Sequence, residues 1–417
     1  MKKLILLFTA SVSLLILGDP VRGSDVVQYV SNPYTFSVTC ADTVYRFGDH
    51  FMVYDVNNDG AVDFLFRTLD SLYAYDHYST GTELWGFEAA VPFQCNGTSF
   101  GCADIDGDGQ AEVVLLDNSS YVHVLNAETG VEERSFSLDD VGTGLGDYQK
   151  GGYLVVVNIQ APDDWDIIVQ TVDETLEGNG TEFYINRSLI AIDMDESVPA
   201  NMEIWRKVQD RVYAPFYENY WGQAHGGLMC ADVDNDGLDE VIGGSMIDDD
   251  GTEVSAVSSS YPEGNWVYRQ ADGFTDHIDA IAVGDYRPQN PGLEWCVTQE
   301  DHVTSGSAYP NLWETVLFDT SGYIWRQETT LFPDDKRREP QNIAVGNFDN
   351  TLPYAEIWNR SRFGAISHAQ GYGQHPWIFD NNSNQIGHYD MQDKLDAVGT
   401  NFSNNNAYGI EAVWTID

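Results

Sequence analysis

Short apolar runs alternate with acidic, glycine-bearing loops along most of this chain. Phe51-Met-Val-Tyr54, Val113-Val-Leu-Leu116, Leu154-Val-Val-Val157 and Ala280-Ile-Ala-Val283 are examples, rich in Val, Ile and aromatics. Such runs, bounded by Gly and Asp, predict strands. No stretch carries the spacing of a convincing amphipathic helix. Repeat units begin near residues 51, 101, 152, 227, 280, 342 and 397. Each opens with an apolar strand, runs through an acidic loop into a second strand, and closes in a hairpin-like segment ending in an aromatic. Leu72 to Trp85, Leu189 to Trp205 and Val316 to Trp325 are such segments. A period of about 50 to 75 residues with about four strands per unit predicts an all-β fold, a β-propeller of about seven four-stranded blades.

The last unit is short. It has Asp396-Ala-Val-Gly and Gly409-Ile-Glu-Ala-Val-Trp-Thr-Ile-Asp417. Strand-like segments within residues 26–48 complete it in one reading, closing the ring. In the other reading the chain is a piece of a longer propeller. Residues 1–23 read as a cleaved secretory signal, with Lys2 and Lys3 before the apolar stretch Leu4 to Leu17. That stretch is too short to span a bilayer, and no later one is long enough. The expected organisation is a leader over 1–23 and a single propeller domain over 24–417, in a secreted protein.

The acidic loops change the picture from fold to chemistry. The clearest run from Asp55 through Asn57 and Asp59 to Asp63, from Asp104 through Asp106 and Asp108 to Glu112, and from Asp232 through Asp234 and Asp236 to Glu240. Oxygen ligands at alternating positions, a Gly for the sharp turn and a later acid suit a hard cation wanting six to eight oxygens, which is calcium rather than zinc. The expected cofactor is Ca2+ at several sites, mainly pinning turns between strands. An EF-hand is excluded because an apolar strand, not a helix, follows at once. The loops at Asp285 and Asn347 carry Pro and fewer acids, so they are poorer metal sites.

Composition agrees. The 417 residues hold 66 acidic and 20 basic side chains, a formal net charge of −46, so nucleic acid is not an expected partner. At 42% hydrophobic the chain can fill a core and is not a disordered acidic tail. Of five cysteines, Cys95 and Cys102 lie close enough in sequence to close a disulfide loop, whereas Cys230 and Cys296 read as buried thiols.

The acidic loops resemble the FG-GAP repeats of integrin-like propellers. Gly222-Gln-Ala-His225 running into the Asp232 loop, and Asp276-His277-Ile-Asp279 running into the Asp285 loop, resemble a spaced pair of motifs in propeller rhamnogalacturonan lyases. Ulvan lyases on seven-bladed propellers are related. The resemblance implies a calcium-dependent polysaccharide lyase acting by β-elimination on an acidic, uronate-containing glycan. The alternative is a non-catalytic propeller that binds glycan or protein ligands.

Lyase chemistry needs a neutralised uronate carboxylate, a base for the alpha proton and an acid for the leaving oxygen. His225 and His277 precede strands expected to line a central channel and are the base candidates. Arg338 and Arg211 are candidates for the carboxylate, with Arg337 beside them. Tyr213, Tyr217 and Tyr220 are candidate acids, and with Trp221 they form an aromatic segment able to stack on sugar. His302 is a supporting candidate for substrate binding. No Gly-rich phosphate loop, nucleophile elbow or His-x-x-x-His zinc pair occurs.

Overall fold

The computed structural model describes residues 51–67, 71–76, 82–90, 100–146, 149–173, 183–214, 228–243, 246–254, 276–301, 314–328, 339–346, 354–362, 377–382 and 385–388. These residues are all-β apart from two single-turn 3-10 helices, Leu138–Asp140 and Pro199–Asn201. The first sheet is Phe51–Tyr54, Asp63–Arg67, Ser71–Tyr75 and Glu83–Glu88 (β1 to β4). The second is Phe100–Ala103, Glu112–Leu116, Tyr121–Asn126 and Glu132–Ser137 (β5 to β8). The third is Gln149–Asn158, Trp165–Asp173, Phe183–Ile192 and Glu203–Ala214 (β9 to β12). Three strands make the fourth: Cys230–Ala231, Glu240–Ile242 and Met246–Ile247 (β13 to β15). Asp276–Gly284, Glu294–Asp301, Glu314–Asp319 and Gly322–Glu328 (β16 to β19) form the fifth. The sixth is Glu339–Gly346, Glu356–Arg362, Trp377–Phe379 and Gln385–His388 (β20 to β23).

Every one of these sheets is an antiparallel meander, each strand bonded to the next in the chain. The expected unit starts fall at six of the sheet openings; the unit near residue 397 lies outside the described residues.

Five apolar clusters each lie between two consecutive sheets. Val113 and Leu115 of β6 face the first sheet, with Leu65, Leu72 and Trp85. Their neighbours Val114 and Leu116 face the third, with Ile167, Val169, Ile190 and Ile192. Ile168, Leu189 and Ala191 meet Val241 and Ile247 of the fourth. Val233 and Ile242 meet Trp295, Val316 and Phe318 of the fifth, and Cys296 and Leu317 meet Ile357 and Phe379 of the sixth. The inner strands are therefore buried on both faces, which is why they read as continuous apolar runs rather than alternating ones. Burying such a Val, Leu or Phe contributes about 1.5–3 kcal/mol, so this filling dominates the stability.

First strands of neighbouring sheets lie against each other, β5 on β9, β9 on β13 and β16 on β20. Glycine permits the approach. A Cβ on Gly101 would come within 2.4 Å of Val156, and one on Gly284 within 2.4 Å of Val345.

At the fourth strand a tryptophan joins one sheet to the next. Trp85 Nε1 donates to the carbonyl of Ala127 (2.7 Å), Trp205 to Asp249 (2.6 Å) and Trp325 to Asn381 (2.9 Å). Each acceptor sits in the turn after the third strand of the following sheet. These are the aromatics that close the hairpin segments in the sequence, and their indole N–H groups register one sheet on the next.

The cysteine expectations hold in part. Cys296 is a buried free thiol and Cys230 a half-buried one. Cys102 is also free, packed against the cluster between the first two sheets, so the loop that Cys95 and Cys102 could close is not closed by a disulfide. Cys40 and Cys95 lie outside the described residues.

Gly130 holds φ +68°, and a Cβ there would meet the Trp85 ring at 2.6 Å. Gly130→Ala should cost about 1–3 kcal/mol in urea unfolding, while Glu128→Ala in the same turn should stay within about 0.5 kcal/mol of the parent.

Candidate functional site

Three acidic loops share one construction. Each joins the first strand of a sheet to the second, in the first, second and fourth sheets. The opening Asp accepts N–H groups from within its own loop: Gly60 donates to Asp55 (2.8 Å), Gly109 to Asp104 (3.0 Å) and Gly237 to Asp232 (3.1 Å). The next carboxylates or amides each accept from the residue two positions on. Asp59 donates to Asn57, Asp108 to Asp106 and Asp236 to Asp234, at 3.0, 3.1 and 3.2 Å. Asp59, Asp108 and Asp236 in turn receive Ala61, Gln110 and Leu238. Two residues per loop take left-handed φ: Asn58, Gly107 and Asn235 at the fourth position, and Gly60, Gly109 and Gly237 at the sixth. Asn and Gly tolerate that conformation, so the spacing of the motif is a record of its backbone.

The last acid of each loop is buried at the head of the second strand. Asp63, Glu112 and Glu240 are at most 2% exposed. They accept the N–H of Val56 (3.2 Å), Ile105 (2.8 Å) and Val233 (2.8 Å). Burial pushes Glu112 up to about 7 and Glu240 up to about 8, with the other loop acids adding to the rise.

The donor sets fit a hard divalent cation. Oxygens of Asp104, Asp106 and Asp108 lie within 4.8 Å of one another, as do oxygens of Asp232, Asp234 and Glu240. Oδ1 of Asp104 and Oε1 of Glu240 are buried without a hydrogen-bond partner. A buried carboxylate oxygen with nothing facing it is costly, and a cation removes that cost. Asp55, Asn57, Asp59 and Asp63 have the same backbone construction, with an amide oxygen at the third position in place of a carboxylate.

Structure adds residues that the loop motif does not contain. Asp239 anchors the fourth-sheet loop to the third sheet: its N–H donates to the Asn158 carbonyl (2.6 Å) and its carboxylate accepts the Asn158 N–H (2.8 Å). Asp248 in the following turn is raised by burial, then by Asp249, Asp250, Asp234 and Asp236, so the turn deepens the negative potential over the loop. In the third sheet, Asp166 stands at the buried-acid position and accepts Met194 N–H (3.2 Å); burial raises it to about 7. Its neighbouring loop, Gln160-Ala-Pro-Asp163, lacks the alternating acids, so periodicity in sequence does not find it. His123 is a separate feature, with Nδ1 2.7 Å from Glu132 and Nε2 3.4 Å from Asp117, against the Phe87 ring.

The candidates for chemistry on a glycan are spread over several segments. His277 lies within β16, where its backbone pairs with Glu300; the strand begins one residue before it rather than after it. Arg211 and Tyr213 fall in β12, with Tyr213 opposite Tyr184. β16 is a first strand and lies on a neighbouring first strand, whereas β12 is the opposite edge of its sheet. Tyr217, Tyr220, Trp221, His225, His302, Arg337 and Arg338 lie outside the described residues.

Comparison with known proteins agrees with the motifs. Residues 55–115 match an FG-GAP-like repeat, a span that contains the Asp55 and Asp104 loops. Residues 180–384 match the rhamnogalacturonan lyase family 11, C-terminal domain, a span that contains the Asp232 and Asp285 loops. The chain is 27% identical over 311 residues to rhamnogalacturonan exolyase YesX of Bacillus subtilis (strain 168), covering 64% of this chain and 45% of that protein. It is 26% identical over 247 residues to rhamnogalacturonan endolyase YesW of the same organism, covering 53% and 37%. It therefore spans less than half the length of either. The crystal structure of exotype rhamnogalacturonan lyase YesX superposes with a TM-score of 0.48 at 20% identity, over 81% of this chain and 56% of that one. The chain is thus similar to FG-GAP repeats and to rhamnogalacturonan lyases over the same segments that carry its acidic loops.

The raised carboxyls fix the sign of a pH dependence. From the ordinary glutamate value of 4.5 up to about 7 at Glu112 and about 8 at Glu240, the folded protein holds protons that the unfolded chain has released. Stability in chelator should therefore fall as pH rises from about 5 to 8. Calcium should flatten the slope, and Glu240→Gln should reduce it; thermal unfolding across that range checks both.

Proposed function

We propose that this protein is a secreted, calcium-dependent polysaccharide lyase-like propeller acting on an acidic, uronate-containing glycan of rhamnogalacturonan or ulvan type. The observation that carries the reading is the similarity of residues 180–384 to a rhamnogalacturonan lyase domain, together with the two lyase relatives. In this reading residues 1–23 are a cleaved leader and 24–417 one propeller of about seven blades. The face-to-face stacking of six consecutive meanders supports it.

The reaction is β-elimination. Arg211, Arg337 and Arg338 hold the uronate carboxylate and make the alpha proton acidic. His225 or His277 takes that proton, and Tyr220 protonates the leaving glycosidic oxygen; Tyr213 is the poorer candidate acid, because β12 is the edge of its sheet opposite the first strand. Tyr217, Trp221 and His302 orient the sugar. Calcium, held by the loops at Asp55, Asp104 and Asp232, would order the turns between strands.

A second reading is a propeller that binds glycan or protein without cleaving it. The FG-GAP match over residues 55–115 favours it, because the carboxylates of those loops are spent on accepting the N–H groups that order the turn. Among the described residues no helix is long and apolar enough to cross a membrane.

Incubation with rhamnogalacturonan and ulvan in calcium should give an unsaturated product seen in the ultraviolet. His225→Ala or His277→Ala should lower the rate by about 10²–10⁴-fold if that residue is the base. Glycan binding with no product in the parent would replace the lyase with the binding reading.

A further inference from the structure

The fifth sheet has a loop at the same place as the three cation loops, but its third residue is basic. Counting from the opening acid, Asp55-Val56-Asn57, Asp104-Ile105-Asp106 and Asp232-Val233-Asp234 correspond to Asp285-Tyr286-Arg287. The second residue is buried in all four, Val56 at 3%, Ile105 at 4%, Val233 and Tyr286 at 0% exposure. The pairing that leads into each loop is also the same, Tyr54 with Asp63, Ala103 with Glu112, Ala231 with Glu240 and Gly284 with Glu294. Counted from the first strand, Arg287 stands where the other loops place an oxygen ligand, in a loop one residue longer before its closing acid.

The closing acid is also retained. Glu294 is 1% exposed and accepts the Arg287 N–H at 2.9 Å, from the third residue of its loop, where Glu240 accepts from Val233, the second. Both oxygens of Glu240 lie in the interior, and Oε1 faces no hydrogen-bond partner; Glu294 has no such orphaned atom. The guanidinium reaches Asp319 at 3.6 Å, at the end of the third strand of its sheet. In the fourth sheet the acid at that place is Asp248, which faces Asp234 and Asp236 instead. The two loops touch, since Leu293 donates to the Val233 carbonyl at 3.0 Å.

We propose that Arg287 is the fifth sheet's own cation: its backbone N–H binds Glu294 while its guanidinium, held by Asp319, supplies to the loop the positive charge that the other loops take from a bound metal ion. The loop at 285–294 binds no ion, and its stability is independent of calcium. This rests on reading the loops at Asp55, Asp104 and Asp232 as cation sites.

The test compares the full-length parent with Arg287→Asn and Arg287→Lys, in chelator and in millimolar calcium. Thermal midpoints and the number of bound calcium ions are the readouts. The parent's calcium response reports on the three acidic loops. Arg287→Asn should melt several degrees lower in chelator, gain more from calcium than the parent does, and bind one further ion. Arg287→Lys, which keeps the charge, should show the parent's calcium response and ion count. An Arg287→Asn protein with the parent's calcium gain and ion count overturns the proposal, whatever its midpoint in chelator. A parent without any calcium response would remove the cation reading of the three loops, while a calcium gain confined to Arg287→Asn would still uphold Arg287 as a replaced cation.

Discussion

A carboxylate buried near the head of the second strand is the constraint on which the rest of this structure depends. Asp63, Glu112, Asp166, Glu240, Glu294 and Glu356, one in each described sheet, are at most 2% exposed. Removing an ionised carboxylate from water costs several kcal/mol unless hydrogen bonds and opposite charge offset it. The hydrogen bonds come from the backbone of the preceding loop in four sheets and from Met194 in the third. The opposite charge cannot come from the surface at large, because the chain has 66 acids and 20 bases. The oxygens grouped in the Asp104 and Asp232 loops fit a cation at that place, and the fifth-sheet loop carries Arg287 there instead.

The same acids tie the loops to the stacking of the sheets. Residues next to them reach the previous sheet: Asp239 bonds to Asn158, Leu293 to Val233 and Ala355 to Asp285. At the other edge the indoles of Trp85, Trp205 and Trp325 bond to the next sheet's turns. The apolar clusters between sheets supply most of the energy but no direction. The polar bonds at the two edges supply the register, each contributing about 1 kcal/mol. The loops are thereby part of the joint between sheets as well as turns within one.

Much of this was legible in the sequence. The loops at Asp55, Asp104 and Asp232 announce themselves because an Asx turn needs its acceptor two residues before its donor, and left-handed positions need Asn or Gly. The unit starts were legible because doubly buried strands are unbroken apolar runs. Asp166 was not, since its partner Met194 lies 28 residues away and no local pattern marks it. Asp239 was hidden in the same way: it looks like one more loop acid, and only its bond to Asn158 separates it from the ligand candidates.

By itself, the sequence determined the local conformations: strands, left-handed loop positions and the alternation of oxygen donors all follow from the spacing of neighbouring residues. It also determined the resemblance to FG-GAP repeats and rhamnogalacturonan lyases, because the motifs that carry it are contiguous. Only the tertiary structure decided what each side chain faces. It left Cys102 a free thiol and paired the Arg287 guanidinium with Asp319, and it placed the backbone of His277 in a first strand and that of Arg211 and Tyr213 in a fourth. Burial and charge pairing depend on residues distant in the chain, and their energies are set by the surroundings that the stacked sheets create.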